Sequence, residues 1–151
     1  MDTIVAALGG TVWTVLFFVL ALSVIVFVHE YGHYIVGRWS GIHSEVFSIG
    51  FGPVLFSRTD RRGTRWQVAA IPFGGYVKFL GDADASSVQK TDVSGLSVEE
   101  RRHTMAGAPL WARAATVAAG PVFNFILTFI LLAGLALAVG APREEPTVGA
   151  M

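Results

Sequence analysis

The sequence Val28-His29-Glu30-Tyr31-Gly32-His33 closes an almost unbroken apolar run that begins at Val12, and it fits the pattern H-E-x-x-H. On a helix, His29 and His33 are four positions apart, so their side chains lie on one face, one turn above the other. A solvated surface helix can show the same short pattern. Ionisable side chains beside a membrane-length apolar run are costly, however, and are functional by default. The stretch therefore predicts a functional site near the end of a membrane helix.

Two imidazoles stacked in this way can bind one Zn²⁺. The ion lowers the pKa of a bound water from about 15.7 to about 7. A glutamate between the histidines can take that proton and later deliver it to a leaving amine. We therefore predict that His29 and His33 are zinc ligands and that Glu30 is the catalytic base. The chain has no cysteine, which excludes disulfides and cysteine-ligated metal sites.

The composition is that of a membrane protein. Hydrophobic residues make up 53% of the 151 residues and charged residues 15%, against roughly 25% charged residues in an average globular chain. The mean hydropathy is +0.58. The net charge is zero, so no bulk field favours nucleic acid, and we expect no such partner. We predict an α-helical polytopic membrane protein with two transmembrane helices and a small membrane-associated antiparallel β-sheet between them.

The first transmembrane helix is predicted within residues 1–40, because residues 11–36 are long enough to cross about 30 Å of hydrocarbon. A cleaved signal peptide fits poorly, since the N-terminus carries Asp2 and no basic residue. Gly32 is expected to mark a contact with a neighbouring helix. Arg38 and Trp39 are typical of an anchor at the membrane interface.

The second transmembrane helix is predicted within residues 110–141. Pro121 should bend or locally break it after Gly120. Asn124 places a polar amide at membrane depth, where it needs a partner. Asn124 either bonds a neighbouring helix for structure alone or faces the metal site, where it is a candidate for holding the substrate backbone.

Residues 41–80 show the alternation of half-buried strands. Apolar and small or polar residues alternate from Phe47 to Gly52 and from Arg65 to Ala70, with a turn signal at residues 59–63 between them. A third short strand is predicted at residues 76–80, after a break at residues 72–75. The sheet is either a structural cap or an exposed edge that accepts a substrate peptide as an added strand. Gly74 and Gly75 are candidate substrate-binding residues.

Residues 81–109 are predicted to form a polar loop that carries one short helix. Ser97 and Glu100 have the spacing of a capping box, so the helix should start there and run to about Thr104. His43 and His103 lie in polar surroundings and are interpreted as surface histidines rather than metal ligands.

Basic residues predict the topology. Ten of the eleven lysines and arginines lie between Arg38 and Arg113, and positive charge marks the cytoplasmic side. We therefore expect a multi-pass protein of the inner or plasma membrane whose loop 41–109 is cytoplasmic and whose two termini lie outside.

Four stretches together resemble the site-2 proteases, which are intramembrane zinc metalloproteases, and in particular the regulator-of-sigma-E protease branch. The resembling stretches are residues 29–33, 47–53, 71–78 and 119–125, the last with the pattern G-P-x-x-N. The resemblance implies that His29 and His33 bind zinc, that Glu30 is the base and that Asn124 positions substrate. It also implies hydrolysis of a peptide bond in a transmembrane helix, typically of a membrane-anchored regulator such as an anti-sigma factor.

One departure from the family pattern concerns the third zinc ligand, which the family places on an aspartate of a late transmembrane helix. The sequence contains no Asp-Gly pair that could match that motif, and residues 142–151 resemble the opening of a PDZ domain. We therefore expect this chain to be the N-terminal portion of a larger protease, and to be inactive by itself. The alternative is a non-catalytic membrane binding module, or pseudoprotease fragment, that presents the sheet edge to a partner.

Overall fold

The computed structural model describes residues 2–82, 95 and 97–140, with side chains from residue 10 onward. In chain order the elements are α1 (Asp2–Trp39), β1 (Ser44–Thr59), β2 (Arg65–Phe79), α2 (Val98–Arg102) and α3 (Leu110–Val139). Two long apolar helices thus flank a small two-stranded antiparallel sheet. The PDZ-like tail and nearly all of the predicted polar loop between Asp82 and Ser97 lie outside the described residues. The predicted domain boundaries stay predictions.

Both long helices have the dimensions of membrane spans. Gly10–Trp39 of α1 and the whole of α3 are each 30 residues long and apolar enough to cross a membrane. At 1.5 Å per residue this corresponds to about 45 Å, more than the hydrocarbon thickness of about 30 Å. Large apolar side chains such as Phe17 and Leu131 are mostly exposed. A lipid bilayer would remove such surfaces from water.

Close contact between α1 and α3 depends on Gly32. A Cβ atom on Gly32 would lie 2.6 Å from the carbonyl oxygen of Ala119 and 3.0 Å from Cβ of Phe123. Such distances leave no room for a side chain, so the two backbones touch at this point. The predicted helix–helix contact at Gly32 is confirmed. It lies within the H-E-x-x-H motif and brings α3 against it.

The two strands of the sheet are long and bent, and each half of a strand has its own partners. The second half of β1 and the first half of β2 form a hairpin, with pairs from Val54 with Ala69 to Thr59 with Arg65. The first half of β1 pairs antiparallel with the end of β2, from Ser44 with Phe79 to Ile49 with Gly75. On its other side, the first half of β1 pairs with the start of β2. The residue numbers of both partners increase together, from Val46 with Arg65 to Ile49 with Val68. The first half of β1 therefore lies between the two halves of β2.

The prediction of a break at residues 72–75 and of a separate third strand after it is wrong. β2 runs continuously from Arg65 to Phe79. Pro72, Phe73 and Gly74 have no partner in the register, so the missing donor of Pro72 costs no ladder bond. Gly74 adopts φ +140°, which glycine does without strain, and the strand bends there instead of ending.

An aromatic cluster fixes the sheet on α1. Phe47 is fully buried. Its ring stacks on Trp66 at 4.3 Å between centroids and meets Tyr34 and Phe27 edge-on at 5.7 and 5.8 Å. Aromatic pairs in such geometries contribute about 0.5–1.5 kcal/mol beyond the area they bury. Because Tyr34 and Phe27 flank the H-E-x-x-H motif, the cluster holds the sheet beside it.

The turn at residues 59–63 is present as predicted, and it is organised by Asp60. The Asp60 carboxylate accepts hydrogen bonds from the backbone N–H groups of Arg62 and Thr64, at 2.8 and 3.0 Å. The other carboxylate oxygen accepts from the Tyr34 hydroxyl and the Trp66 indole. The turn is thereby tied to α1.

The capping box at Ser97 is confirmed. The Ser97 hydroxyl accepts a hydrogen bond from the backbone N–H of Glu100, and the Glu100 carboxylate accepts one from the backbone N–H of Ser97. Hydrogen bonds from Ser97 lower the pKa of Glu100, and the bond from the Ser97 backbone has the largest effect. The helix ends at Arg102, two residues before the predicted Thr104.

A local break of the second long helix at Pro121 does not occur. α3 is continuous from Leu110 to Val139 with Pro121 inside it. A proline removes one intrahelical hydrogen bond, and in apolar surroundings the remaining bonds keep the helix intact because no water competes for them.

Candidate metal centre

The two histidines of the motif lie on consecutive turns of α1, and both rings face α3. Their ring centroids are 4.8 Å apart. A Cβ atom on Gly120 would contact Nε2 of His33 and lie 2.7 Å from Nε2 of His29. The two Nε2 atoms therefore converge on one point beside the Cα of Gly120, where the helix has no side chain.

The ring of His33 is held by the backbone of α3. Its Nδ1 lies 2.7 Å from the carbonyl oxygen of Thr116. A carbonyl oxygen accepts hydrogen bonds and never donates, so Nδ1 of neutral His33 carries the hydrogen and Nε2 carries the lone pair. A hydrogen bond at one ring nitrogen that fixes the tautomer is the usual support of a metal-binding histidine.

The ring of His29 is held by Asn124. The amide Nδ2 of Asn124 lies 3.1 Å from Nδ1 of His29, and its Oδ1 is buried without a hydrogen-bond partner among the described residues. In this orientation the amide donates to Nδ1, and the hydrogen of neutral His29 sits on Nε2. A half-turn of the amide places Oδ1 against an Nδ1–H group. That second orientation leaves the Nε2 lone pairs of both histidines at the same point.

Glu30 lies against the sheet, where its Cγ would be 3.2 Å from a Cβ atom on Gly75. Its carboxylate lies on the side of the backbone N–H of Val77 on β2. Glu30, His33 and Val77 line one cavity of about 200 Å³. Its other lining residues are Phe79, Met105, Thr116 and Val117. Glu30 and His33 therefore line one cavity between the sheet and α3.

Of the two candidate glycines, Gly75 lies at the motif and Gly74 does not. A Cβ atom on Gly75 would lie 3.2 Å from Cγ of Glu30 and 2.7 Å from the carbonyl oxygen of Ser48. Gly75 is thus the residue that lets β2 pass between β1 and α1. A Cβ atom on Gly74 would strike the ring of Phe51 instead.

The donor set suits zinc but is short of one ligand. Imidazole nitrogens are common zinc ligands, and catalytic zinc sites generally have three protein ligands and one open position. Within residues 2–82 and 97–140, no three His, Asp or Glu side chains gather around one point. Asp82 accepts a hydrogen bond from the Phe79 backbone, and burial raises the pKa of its carboxyl. His103 bonds the Gly41 carbonyl, away from the motif.

Comparison with known proteins assigns the family. The family model for peptidase family M50 matches residues 17–148. The chain belongs to peptidase family M50, the site-2 proteases. It is 57% identical over 151 residues to a protein of Agrobacterium fabrum named as a zinc metalloprotease, an alignment that covers 98% of this chain and 40% of the relative.

Two further members are metalloprotease MmpA of Caulobacter vibrioides and the regulator of sigma-E protease RseP of Salmonella typhimurium. Each is 44% identical to this M50 chain over 137 residues. The alignments cover 85% and 91% of this chain but 34% and 28% of the relatives. The chain therefore spans well under half the length of the relatives that it matches.

The predicted family is thus confirmed. The names of the relatives support a metalloprotease and imply zinc as its metal. The two apolar helices, together with the family, indicate a protein of the inner membrane.

Two residues that contact the histidine pair of this M50 chain were not predicted from the sequence to do so. Thr116 acts through its backbone carbonyl, a group that every residue has, so no sequence signal marks it. Gly120 was noted as the residue before Pro121, but its contact with both rings depends on how α3 packs against α1.

Proposed function

We propose that the chain forms part of a zinc-dependent intramembrane endopeptidase, with His29 and His33 as two zinc ligands and Glu30 as the general base. One observation carries this proposal: both Nε2 atoms converge at Gly120 on the side of α1 that packs against α3. The partners of the two Nδ1 atoms support it, because Thr116 and Asn124 orient the rings toward that point.

The chemistry is hydrolysis of a peptide bond. Zn²⁺, when bound, would polarise the scissile carbonyl and supply a water that is activated at neutral pH. Glu30 accepts a proton from the attacking water as the new C–O bond forms. It returns the proton to the amine nitrogen as the C–N bond breaks.

The third zinc ligand is proposed to come from outside the described residues. In the resembling family it is an aspartate of a later transmembrane helix. Two imidazoles by themselves leave the metal with one protein ligand fewer than catalytic sites generally use. We therefore expect residues 1–151 alone to hold zinc weakly and to lack peptidase activity.

The proposed substrate is a transmembrane segment of a membrane-anchored regulator of the anti-sigma-factor type, bound by strand addition at the end of β2. The support is the edge of β2 at Gly75–Val77 that turns away from β1, the strand that pairs with its other side. The N–H of Val77 points from this edge toward Glu30. A peptide added there would lie between the sheet and the histidines. In the proposed topology, residues 41–109 are cytoplasmic and both termini lie outside.

Val77→Pro tests strand addition. Because the Val77 N–H faces Glu30 rather than β1, proline there removes a donor from the edge without breaking the ladder. One lost hydrogen bond to substrate should raise KM about tenfold, with kcat little changed.

The measurement is cleavage of a transmembrane reporter by the complete protease. Val77→Ala keeps the N–H and is the control. A fall in kcat at constant KM would instead place the effect on Glu30 and overturn strand addition at this residue.

Asn124 variants test the support of the metal site. Asn124→Ala should weaken zinc binding about 10- to 100-fold, which is typical for partners of metal-binding histidines. Asn124→Asp should retain most of the affinity, because a carboxylate can only accept and so holds His29 with its hydrogen on Nδ1. Competition with a chromophoric chelator measures the zinc Kd. If Asn124→Asp bound zinc as weakly as Asn124→Ala, the amide would not support His29 through Oδ1.

A further inference from the structure

A second, basic pocket lies at the end of α1, and neither histidine of the motif lines it. Its volume is about 220 Å³. Four of its lining side chains carry or can carry positive charge, namely those of Arg38, His43, Arg62 and His103, and Gly41, Ile42, Ser44 and Thr64 complete the wall. No acidic side chain is among these lining residues.

The positive charge of the pocket is not neutralised by the described part of the chain. Neither Arg38 nor Arg62 forms an ion pair with a described residue. Arg38 donates to the Tyr34 hydroxyl, which is neutral. The nearest acid in the turn is Asp60, and its two oxygens accept from the Arg62 and Thr64 backbone, from Tyr34 and from Trp66. An anion that enters the pocket would therefore meet two guanidinium groups that form no ion pair with a described residue.

The frame of the pocket is already fixed. The His43 backbone N–H donates to the carbonyl oxygen of His103 at 2.9 Å, and His103 Nδ1 donates to that of Gly41 at 2.7 Å. The hydroxyls of Ser44 and Thr64 are buried and 3.2 Å apart. These contacts join three separate parts of the chain. Binding of a ligand would therefore carry only a small entropy cost for ordering the backbone.

The pocket lies at the level where the two long helices leave the apolar layer. Trp39 is the last residue of α1 and is 74% exposed; Leu110 and Trp111 begin α3 and are 78% and 65% exposed. Exposed tryptophans at the ends of apolar helices mark the membrane–water interface. The pocket thus opens where lipid headgroups lie.

We propose that this pocket binds the phosphate group of an anionic phospholipid. Guanidinium groups bind phosphate oxygens through paired, charge-assisted hydrogen bonds. Basic pockets beside transmembrane helices on the cytoplasmic side are where anionic headgroups bind. The exposed Trp39 and Trp111 at the ends of the two long helices favour a lipid over a free phosphate ion, because they provide an apolar surface for the acyl chains. This proposal is independent of the peptidase activity.

Arg62→Gln and Arg61→Gln form a matched pair for the test. Both residues are exposed and adjacent and both substitutions remove one charge, but only Arg62 lines the basic pocket. The chain in neutral detergent is titrated with short-chain phosphatidylglycerol, with short-chain phosphatidylcholine and with inorganic phosphate. Native mass spectrometry measures the bound ligand, and the unfolding midpoint without ligand checks that both variants are folded.

Phosphatidylglycerol should bind in preference to phosphatidylcholine. Arg62→Gln should weaken its binding about fivefold, while Arg61→Gln should change it less than about twofold. Equal losses in the two variants would show a diffuse charge effect and overturn the pocket. Inorganic phosphate that binds as tightly as phosphatidylglycerol, with the same dependence on Arg62, would overturn the lipid as the ligand.

Discussion

Glu30→Gln is expected to slow peptide-bond cleavage by at least about 100-fold while zinc remains bound. General acid–base catalysis contributes roughly 10² to 10⁴ in rate, and glutamine can neither accept nor return the proton. The proposed ligands, His29 and His33, are separate side chains with partners on α3, so their geometry survives the change. The base and ligand roles are therefore separable by measurement.

The measurement combines cleavage of a transmembrane reporter with zinc content per chain, both in the protease with a complete metal site. Glu99→Gln is the control, since it removes the same charge from an exposed position on α2. Cleavage at the wild-type rate by Glu30→Gln would remove Glu30 from the reaction. A zinc-loaded wild-type protein that cleaves no substrate would favour the non-catalytic binding module instead.

Gly120→Ala is expected to weaken zinc binding by at least about 100-fold. The new methyl group would occupy the point on which both Nε2 atoms converge, in contact with His33 and 2.7 Å from His29. Loss of a partner that merely orients a ligand costs about 10- to 100-fold in metal affinity, and blocking the lone pairs themselves should cost more.

The control is Gly134→Ala on the same helix. A Cβ atom there meets nothing within 4 Å, so this variant gains helix propensity of about 1 kcal/mol and should bind zinc normally. The zinc Kd is measured by chelator competition, and circular dichroism verifies that both variants are helical. Unchanged zinc affinity in folded Gly120→Ala would show that the metal does not bind between these two rings.

The common face of His29 and His33 on α1 could be predicted because its geometry is local. A spacing of four residues places His29 and His33 on one face of any helix. The partners on α3 depend on helix packing instead. The sequence indicated that Asn124 needs a partner, but the choice of His29 follows from the close approach at Gly32, which sets how α3 lies against the motif.

The sheet shows the same division. Alternation predicted strands around Phe47 and Trp66, and the turn residues predicted the hairpin between them. The position of the first half of β1 between both halves of β2 is a long-range property that alternation does not encode. The break expected near Pro72 failed because Gly74 bends the strand at a point where no ladder bond is required.

The hydrogen bonds that aim the two rings also set an order of events during synthesis. The partners of His33 and His29 lie 83 and 95 residues further along the chain. At roughly 5–20 residues per second, the ribosome needs on the order of 5–20 s to make that intervening stretch. During that interval α1 already carries both histidines, but α3 is not yet there to orient them. If zinc binds here as proposed, we expect it to be loaded only after α3 has packed against α1, however early α1 is made.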